Sequence, residues 1–435
     1  MEIFFESYGC TANHNSTEIM KGLVRQAGFN ITSNLNYADL IIINSCIVKE
    51  PTEEKIRRRI QDLLKDKKRI ILAGCMPRLN REKLFSNNLF LLDTSQTKNL
   101  INLIQDIYSN AYEEGKYLQH RNEIKLNLPK ISKEKLIGIT QISEGCLGKC
   151  AYCITRFAKG KLFSYPQEEI IKSVKSDLDA GAKEIWITSQ DCANYGNDDG
   201  KHSLPELLNE ILLIKNNFHL RLGMCNPDNV LKILPELIEL YKNKKMFKFL
   251  HVPVQSGSNK ILKSMKRNYS KEDFLKIIHA FKKEFPEIHI STDVIVGFPG
   301  ETEDDFQQTF DLVKEIKPET INVSKFWPRP KTLAEKMQPQ IDSETKKQRA
   351  IKILKLHNEI CNENQKRFLN TEHEVLVNSK GFENTYLARD DNYKLFAVQS
   401  REKILGKKLK IKVKKITPHY LISEVVIDSN NKTSS

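Results

Sequence analysis

The feature that most constrains this chain is its alternation of short apolar runs with stretches of helical period, broken once by a polar gap and abandoned towards the C-terminus. EIFFES, LIIINS and RIILAG are strand-like runs, separated by a helical pattern to about Ala27 and another over 51–65, and followed by helical pattern to about Ile107. Such alternation marks a parallel sheet, because neighbouring parallel strands need a long crossover, usually a helix. Residues 108–135 are polar and aperiodic and read as a linker. From Leu136 the alternation resumes in six candidate strands, IGITQIS, KEIWITS, FHLRLG, FKFLHVP, IHISTDVIV and TINVSKF, which predict a partial (β/α)6 barrel. After a long helical stretch, about 343–368, the tail turns to EHEVLVNS, NTYLAR, YKLFAVQ, KLKIKVKKI and HYLISEVVI, five strands that suit a small β-barrel, with SNNKTSS as a disordered end. The expected fold class is α/β: an open parallel-sheet domain over 1–107, a linker over 108–135, a partial barrel over 136–368 and a small C-terminal β-barrel over 369–430.

No apolar run approaches the roughly twenty residues of a bilayer crossing, and MEIFFESYGC lacks a cleavable signal pattern, so a cytoplasmic protein without a membrane is expected. Nine cysteines, an odd number, in a reducing compartment point to metal ligation or catalysis rather than disulfides. A net charge of +14 suits a polyanionic partner, although solvated lysines would give the same figure.

Directly after the first barrel strand stands SEGCLGKCAYC, with Cys146, Cys150 and Cys153 spaced C-x3-C-x2-C. A closed zinc site wants four ligands, and this loop offers no fourth Cys or His. A four-iron cluster held by three thiolates leaves one iron open, and the amino and carboxylate groups of S-adenosylmethionine would suit that position. The other strand ends supply candidate cofactor contacts: Tyr152 within the loop, then Ser189, Gln190 and Asp191, Arg221, His251 and Gln255, Asp293, and Gly297 in VGFPGE. Gly297 could admit a ligand to the backbone or simply make a tight turn. His251 reads as catalyst or as hydrogen-bonded core residue.

Cys10, Cys46 and Cys75 each stand just beyond an apolar run, in ESYGC, INSC and LAGC. In a parallel sheet those ends share one edge, where ligands bind, so three thiolates could meet there on a second cluster. Cys192, Cys225 and Cys361 form no such group.

SEGCLGKCAYC, TSQDCANYG, RLGMCNP, HVPVQSGSNKILKSMKRNY and TDVIVGFPGETEDDF, in this order, resemble the radical S-adenosylmethionine methylthiotransferase family over nearly the whole chain, and the tail is similar to its TRAM domain. The resemblance implies two 4Fe-4S clusters, one on Cys146, Cys150 and Cys153 and one on Cys10, Cys46 and Cys75. It also implies two uses of S-adenosylmethionine, as source of a 5′-deoxyadenosyl radical and of a methyl group, with an electron donor such as ferredoxin or flavodoxin. ITRFAKGKLFSYP looks most like the archaeal and eukaryotic branch that acts on N6-threonylcarbamoyladenosine beside the anticodon of tRNA. The lack of a C-terminal membrane anchor in this chain favours the archaeal type. Lys407, Lys408, Lys410, Lys412 and Lys414 in the tail could grip RNA phosphates, or could form a solvated strand face. Methylthiolation of a ribosomal-protein aspartate is the alternative within the family, and a cluster-bearing RNA-binding or electron-transfer protein the alternative outside it.

Overall fold

The computed structural model describes residues 1–79 and 86–426. The expected disordered end and Ile427, the last residue of HYLISEVVI, lie outside the described residues. The chain opens with β1 (Glu2–Ser7), α1 (Thr11–Gln26), β2 (Asn30–Ile31), β3 (Leu40–Ser45), α2 (Glu50–Lys65), β4 (Arg69–Gly74), β5 (Leu89–Asp93) and α3 (Leu100–Tyr108). The five strands form one parallel sheet in the order β2-β1-β3-β4-β5. Strict alternation divides its core. Ile41, Ile43, Ile70, Leu72, Leu89 and Leu91 face α2 through Ile56, Ile60 and Leu63. Leu40, Ile42, Ile71, Ala73, Phe90 and Leu92 face α1 and α3 through Met20, Val24, Leu100 and Ile104. Both faces are covered, which is why β3 and β5 are apolar without polar alternation. β5 corrects the expectation of helical pattern from β4 to about Ile107: LFLLD has neither β-branched residues nor period, and four buried apolar residues in a row look alike in a strand and a helix turn.

Residues 109–135 hold no helix or strand, yet they pack as a strap. The Asp93 amide donates to Tyr117, Lys130 pairs with Asp177, and Pro129 lies so close to α1 that a Cβ on Gly22 would come within 2.0 Å of its carbonyl.

The central region follows with β6 (Ile137–Gln141), the short hairpin β7 (Ser143–Glu144) and β8 (Phe163–Ser164) around α4 (Thr155–Lys159), then β9 (Glu184–Thr188), β10 (His219–Leu222), β11 (Phe249–His251), β12 (His289–Val296) and β13 (Thr320–Lys325). Sheets β10-β9-β6 and β11-β12-β13 are each parallel and meet at the β10 and β11 edges, where the Phe247 amide donates to Leu220 and the Cys225 amide to His251. Six parallel strands in chain order make the expected partial barrel. A helix over Ser343–Lys366, capped by the Asp342 carboxylate on the Thr345 amide, leads to the C-terminal barrel. That barrel closes in the order β14-β15-β16-β18-β17, with β14 (Glu372–Lys380), β15 (Thr385–Arg389), β16 (Leu395–Gln399), β17 (Lys408–Ile416) and β18 (Leu421–Val425).

The small barrel docks under the large one, at the amino ends of its strands. Asn378 donates to Glu184, which begins β9; Asp391 meets His219, which begins β10, at 2.9 Å; Tyr393 packs on Phe249 and His289, which begin β11 and β12. The carboxyl ends, where ligands bind in such folds, are left to face the N-terminal sheet domain. Among the described residues no helix is long and apolar enough to cross a membrane.

Candidate functional site

The loop after β6 is shaped by glycines and pinned from two sides. Gly145 has φ +80°, and a Cβ there would lie 2.0 Å from the Lys161 carbonyl; its amide donates to Gln190 Oε1 at 2.7 Å. The Gly148 amide donates to Cys146 Sγ at 3.2 Å, and a Cβ on Gly148 would stand 3.2 and 3.8 Å from the sulfurs of Cys146 and Cys150, filling the cradle between them. Arg267 Nη1 donates to Cys150 Sγ at 3.1 Å, while its other nitrogens hold Asn226 Oδ1 at 2.6 Å and the Tyr269 hydroxyl at 2.9 Å. Asp191 is buried and accepts from the Asn226 amide and from the side chains of Asn226 and Asn229. Burial, helped by the Asp191 carboxylate, pushes the Cys146 thiol up to about 12. A thiol so placed ionises for a cation that displaces its proton.

The N-terminal cysteines follow β1, β3 and β4, adjacent strands of the sheet. Asn13 staples the first two ends by donating to the Tyr8 and Ser45 carbonyls, and Ser45 ties in the third through Ala73 and Met76. A Cβ on Gly9, at φ +110°, would lie 2.9 Å from Cys46 Cβ and 3.2 Å from its sulfur, so that strand end closes on Cys46 only with glycine there. Cys46 and Cys75 are buried and Cys10 is exposed. Burial raises the Cys75 thiol to about 12, with the Lys159 ammonium pulling the other way. Among the described residues no three His, Cys, Asp or Glu side chains converge as they would on one metal ion. Three thiolates on separate corners of a four-iron cube stand further apart than three on a single ion, so both trios remain compatible with cubane ligation.

A buried ionic cluster joins the two cysteine groups. Lys159, which ends α4 six residues after Cys153, donates to Glu144 Oε1 at 2.8 Å and to Thr94 Oγ1, beyond β5, at 2.5 Å. Lys125 of the strap holds the same carboxylate at 2.9 Å. Ile154 and Ala158 share an apolar core with Ile47, Cys75 and Met76. The loop holding Cys146 and the edge holding Cys75 are thus parts of one packed unit.

The other candidates fare unevenly. Tyr152 is half-buried against Phe298, with ring centroids 6.5 Å apart. Gln190 spends its carbonyl oxygen on Gly145 and so positions the cysteine loop, while Ser189 accepts from the Asp191 amide and donates to Cys192 within its own turn. Arg221 lies over Trp186, Phe249 and Tyr393, at 5.0, 4.6 and 5.4 Å from the ring centroids, in the layer above the small barrel. Gln255 has φ +69°, a left-handed backbone in a non-glycine residue at a strand end, where strain gathers at functional sites. Gly297, at φ +72°, is a glycine because Lys346 covers it: a Cβ would meet Lys346 Cγ at 2.3 Å. His251 lies 3.3 Å from both oxygens of Asp293, which also accepts from Asn322 at 2.7 Å. Lys408, Lys410 and Lys414 pair with Glu374, Glu372 and Glu424 on neighbouring strands, and Lys407 is exposed. Cys192 and Cys225 are buried behind Ser189 and Gly223, and Cys361 lies against His357.

Family models match in three places: the Radical SAM superfamily over 140–313, the Uncharacterized protein family UPF0004 over 2–92 and the TRAM domain over 366–426. A probable threonylcarbamoyladenosine tRNA methylthiotransferase of Pyrococcus horikoshii is 38% identical over 98% of this chain and 100% of its own length. The chain belongs to this methylthiotransferase family. A second such probable enzyme, from Archaeoglobus fulgidus, is 38% identical over 98% and 99% of the two chains, and the threonylcarbamoyladenosine tRNA methylthiotransferase of Homo sapiens is 34% identical over 100% and 76%. In fold the methylthiotransferase is similar to the radical S-adenosylmethionine methyltransferase TsrM from Kitasatospora setae, with TM-score 0.56 at 13% identity over 86% of this chain and 80% of that one. The radical SAM domain brings an iron-sulfur cluster and S-adenosylmethionine with it.

Sequence reasoning missed Arg267, Asn13, Ser45 and the Lys125–Glu144–Lys159 cluster. Arg267 lies 117 positions from Cys150, and no local pattern ties the two. Lys159 stands in the quoted segment ITRFAKGKLFSYP, but nothing in a run of basic residues tells a buried lysine from a solvated one.

Proposed function

We propose that this methylthiotransferase converts N6-threonylcarbamoyladenosine beside the anticodon of tRNA to its 2-methylthio derivative, using two 4Fe-4S clusters, one on Cys146, Cys150 and Cys153 and one on Cys10, Cys46 and Cys75. The observation that carries the reading is the fusion of the two cysteine groups into one packed unit, through α4 and the Lys159–Glu144–Thr94 link, in a chain that matches its relatives end to end. A site that both activates a carbon and delivers sulfur needs its two soft-metal centres held at a fixed separation.

S-adenosylmethionine on an iron-sulfur cluster supplies radical chemistry for unreactive C–H bonds, and a methyl group. This chain's residues do the rest. Gly148 and Arg267 direct an amide and a guanidinium at the sulfurs of Cys146 and Cys150 and hold the two sulfurs in place. Asn13 and Ser45 hold the three strand ends of the N-terminal sheet together. The N-terminal domain covers the carboxyl ends of the barrel strands and excludes water from the reacting carbon. Electrons come from a small carrier such as ferredoxin or flavodoxin, and the C-terminal barrel adds RNA contacts through Lys407, Lys408, Lys410, Lys412 and Lys414.

The test is mass spectrometry of tRNA nucleosides from cells with and without the gene. Loss of the 2-methylthio nucleoside is expected, and its persistence would remove tRNA as substrate. Purified variants divide the clusters. Alanine at Cys146, Cys150 or Cys153 should abolish release of 5′-deoxyadenosine, whereas alanine at Cys10, Cys46 or Cys75 should halve bound iron, keep that release and stop methylthiolation.

A further inference from the structure

The substrate of the proposed reaction differs from plain adenosine by a threonine joined through a urea, which leaves a free carboxylate. An enzyme selective for it needs a cation not already committed to the protein. Three guanidinium groups near the site are committed: Arg267 to Cys150 and Asn226, Arg329 to Glu53, Arg349 to Glu301 and Glu303. Lys125 and Lys159 share Glu144, and Lys260 holds Asp305.

Lys346 is different. It is 7% exposed, and its ammonium makes no hydrogen bond or ion pair with a described residue. Its methylenes lie over Gly297 at the carboxyl end of β12, and its nitrogen sits 5.5 Å from the centre of the Phe326 ring, just past β13. Phe326 packs with Phe298 and Ala151 under the loop of Cys146, Cys150 and Cys153. From the other side comes Glu50, which begins α2 four residues after Cys46 and is near enough to act on Lys346 electrostatically, as is Asp342. Lys325 stands beside it, its ammonium 5.2 Å from the centre of the half-buried Trp327 ring. A buried ammonium without an anion is costly, and it is relieved when a ligand brings the anion.

Resting on the tRNA reading above, we infer that Lys346 is a specificity-determining residue that receives the threonyl carboxylate of the substrate nucleoside, at the seam between the β12–β13 strand ends and the first turn of α2. Lys325 adds positive potential beside it. An adenosine lacking the carboxylate leaves Lys346 unpaired, so selectivity arises from the cost of that unpaired charge.

The experiment measures binding of labelled anticodon stem-loops to the reconstituted full-length protein. One stem-loop carries threonylcarbamoyladenosine, one plain adenosine and one the methyl ester of the threonyl group. The wild-type protein should prefer the first by at least about ten-fold, and the ester should bind like plain adenosine, a result that depends on no variant folding. Lys346→Met keeps the methylenes over Gly297 and should remove the preference by weakening only the first stem-loop, about ten- to a hundred-fold, while Lys346→Arg restores part of it. A preference that survives in Lys346→Met, or an ester that binds like the acid, overturns the assignment. Equal weakening of all three stem-loops overturns it in favour of a backbone phosphate, and weakened S-adenosylmethionine binding with the preference intact does so in favour of the cofactor's carboxylate. A wild-type protein that makes the methylthio product without any preference sinks the role of Lys346 alone; one that makes no such product sinks the tRNA reading.

Discussion

Arg267 is the residue on which the barrel cysteines most depend outside their own loop. Its guanidinium is shared among a sulfur, an amide oxygen and a phenol, three acceptors from three segments, and a flat fork is the group that can reach all three. Arg267→Met should therefore retain the fold but weaken cluster retention about ten- to a hundred-fold, read as iron and sulfide per chain after gel filtration with chelator, and Arg267→Lys should recover little. Full iron content in Arg267→Met would show the contact to be incidental. At this scale the sequence was legible only where chemistry is contiguous. Cys146, Cys150 and Cys153 announce themselves within eight residues, and Cys10, Cys46 and Cys75 by the strands they follow. Gln190 and Gly297 stand out in the sequence by position, but their partners, the Gly145 amide and the Lys346 methylenes, are tertiary facts that no local pattern carries.

Among elements, the alternating strands and helices could be read because each is long enough to show its period, and β5 could not because five leucine-rich residues show none. The strap over 109–135 read as a spacer for the opposite reason: its burial is delivered by single residues such as Tyr117, Lys125 and Leu126, at no regular spacing. The turn between β15 and β16 is another irregular element with a large task, since Asp391 and Tyr393 dock the small barrel to the large one. Its Asp390 accepts from the Lys394 amide at 2.8 Å, and burial raises its carboxyl to about 6. A carboxyl raised on folding binds its proton more tightly in the folded state. The stability it contributes is full below its unfolded value near 3.8 and is lost as pH climbs through about 6. Asp390→Asn, which keeps an acceptor for the amide, should gain on the wild type as pH rises from 4 to 7, by an amount on the order of 2 kcal/mol, read from denaturation midpoints across that range. A constant difference between variant and wild type would mean that Asp390 is ionised at all these pH values.

For the whole molecule, the arrangement sets the cysteine edge and the C-terminal barrel at opposite ends of the central barrel, so RNA held by both must run along its side. Removing the tail from Thr371 onwards is a poor probe of that path, because it would bare Trp186, Phe247, Phe249 and Arg221, which Tyr393 and its neighbours cover, and loss of binding would be mixed with loss of fold. Charge on the intact tail is the cleaner variable. Lys407, Lys408, Lys410, Lys412 and Lys414 give five positive charges on and beside β17, but Glu372, Glu374 and Glu424 across the strands return three negative ones, so two remain in excess. Each net charge set against phosphate contributes somewhat under one to the slope of log affinity on log salt. Glutamine at all five lysines together with the three glutamates removes that excess of two and should therefore lower the slope for tRNA by about 2, not by the roughly 4 that five uncompensated lysines would give. A fall near 4 would mean that the lysines leave their glutamates to meet the RNA, and an unchanged slope would take the tail out of the binding surface and leave recognition to the seam around Lys346.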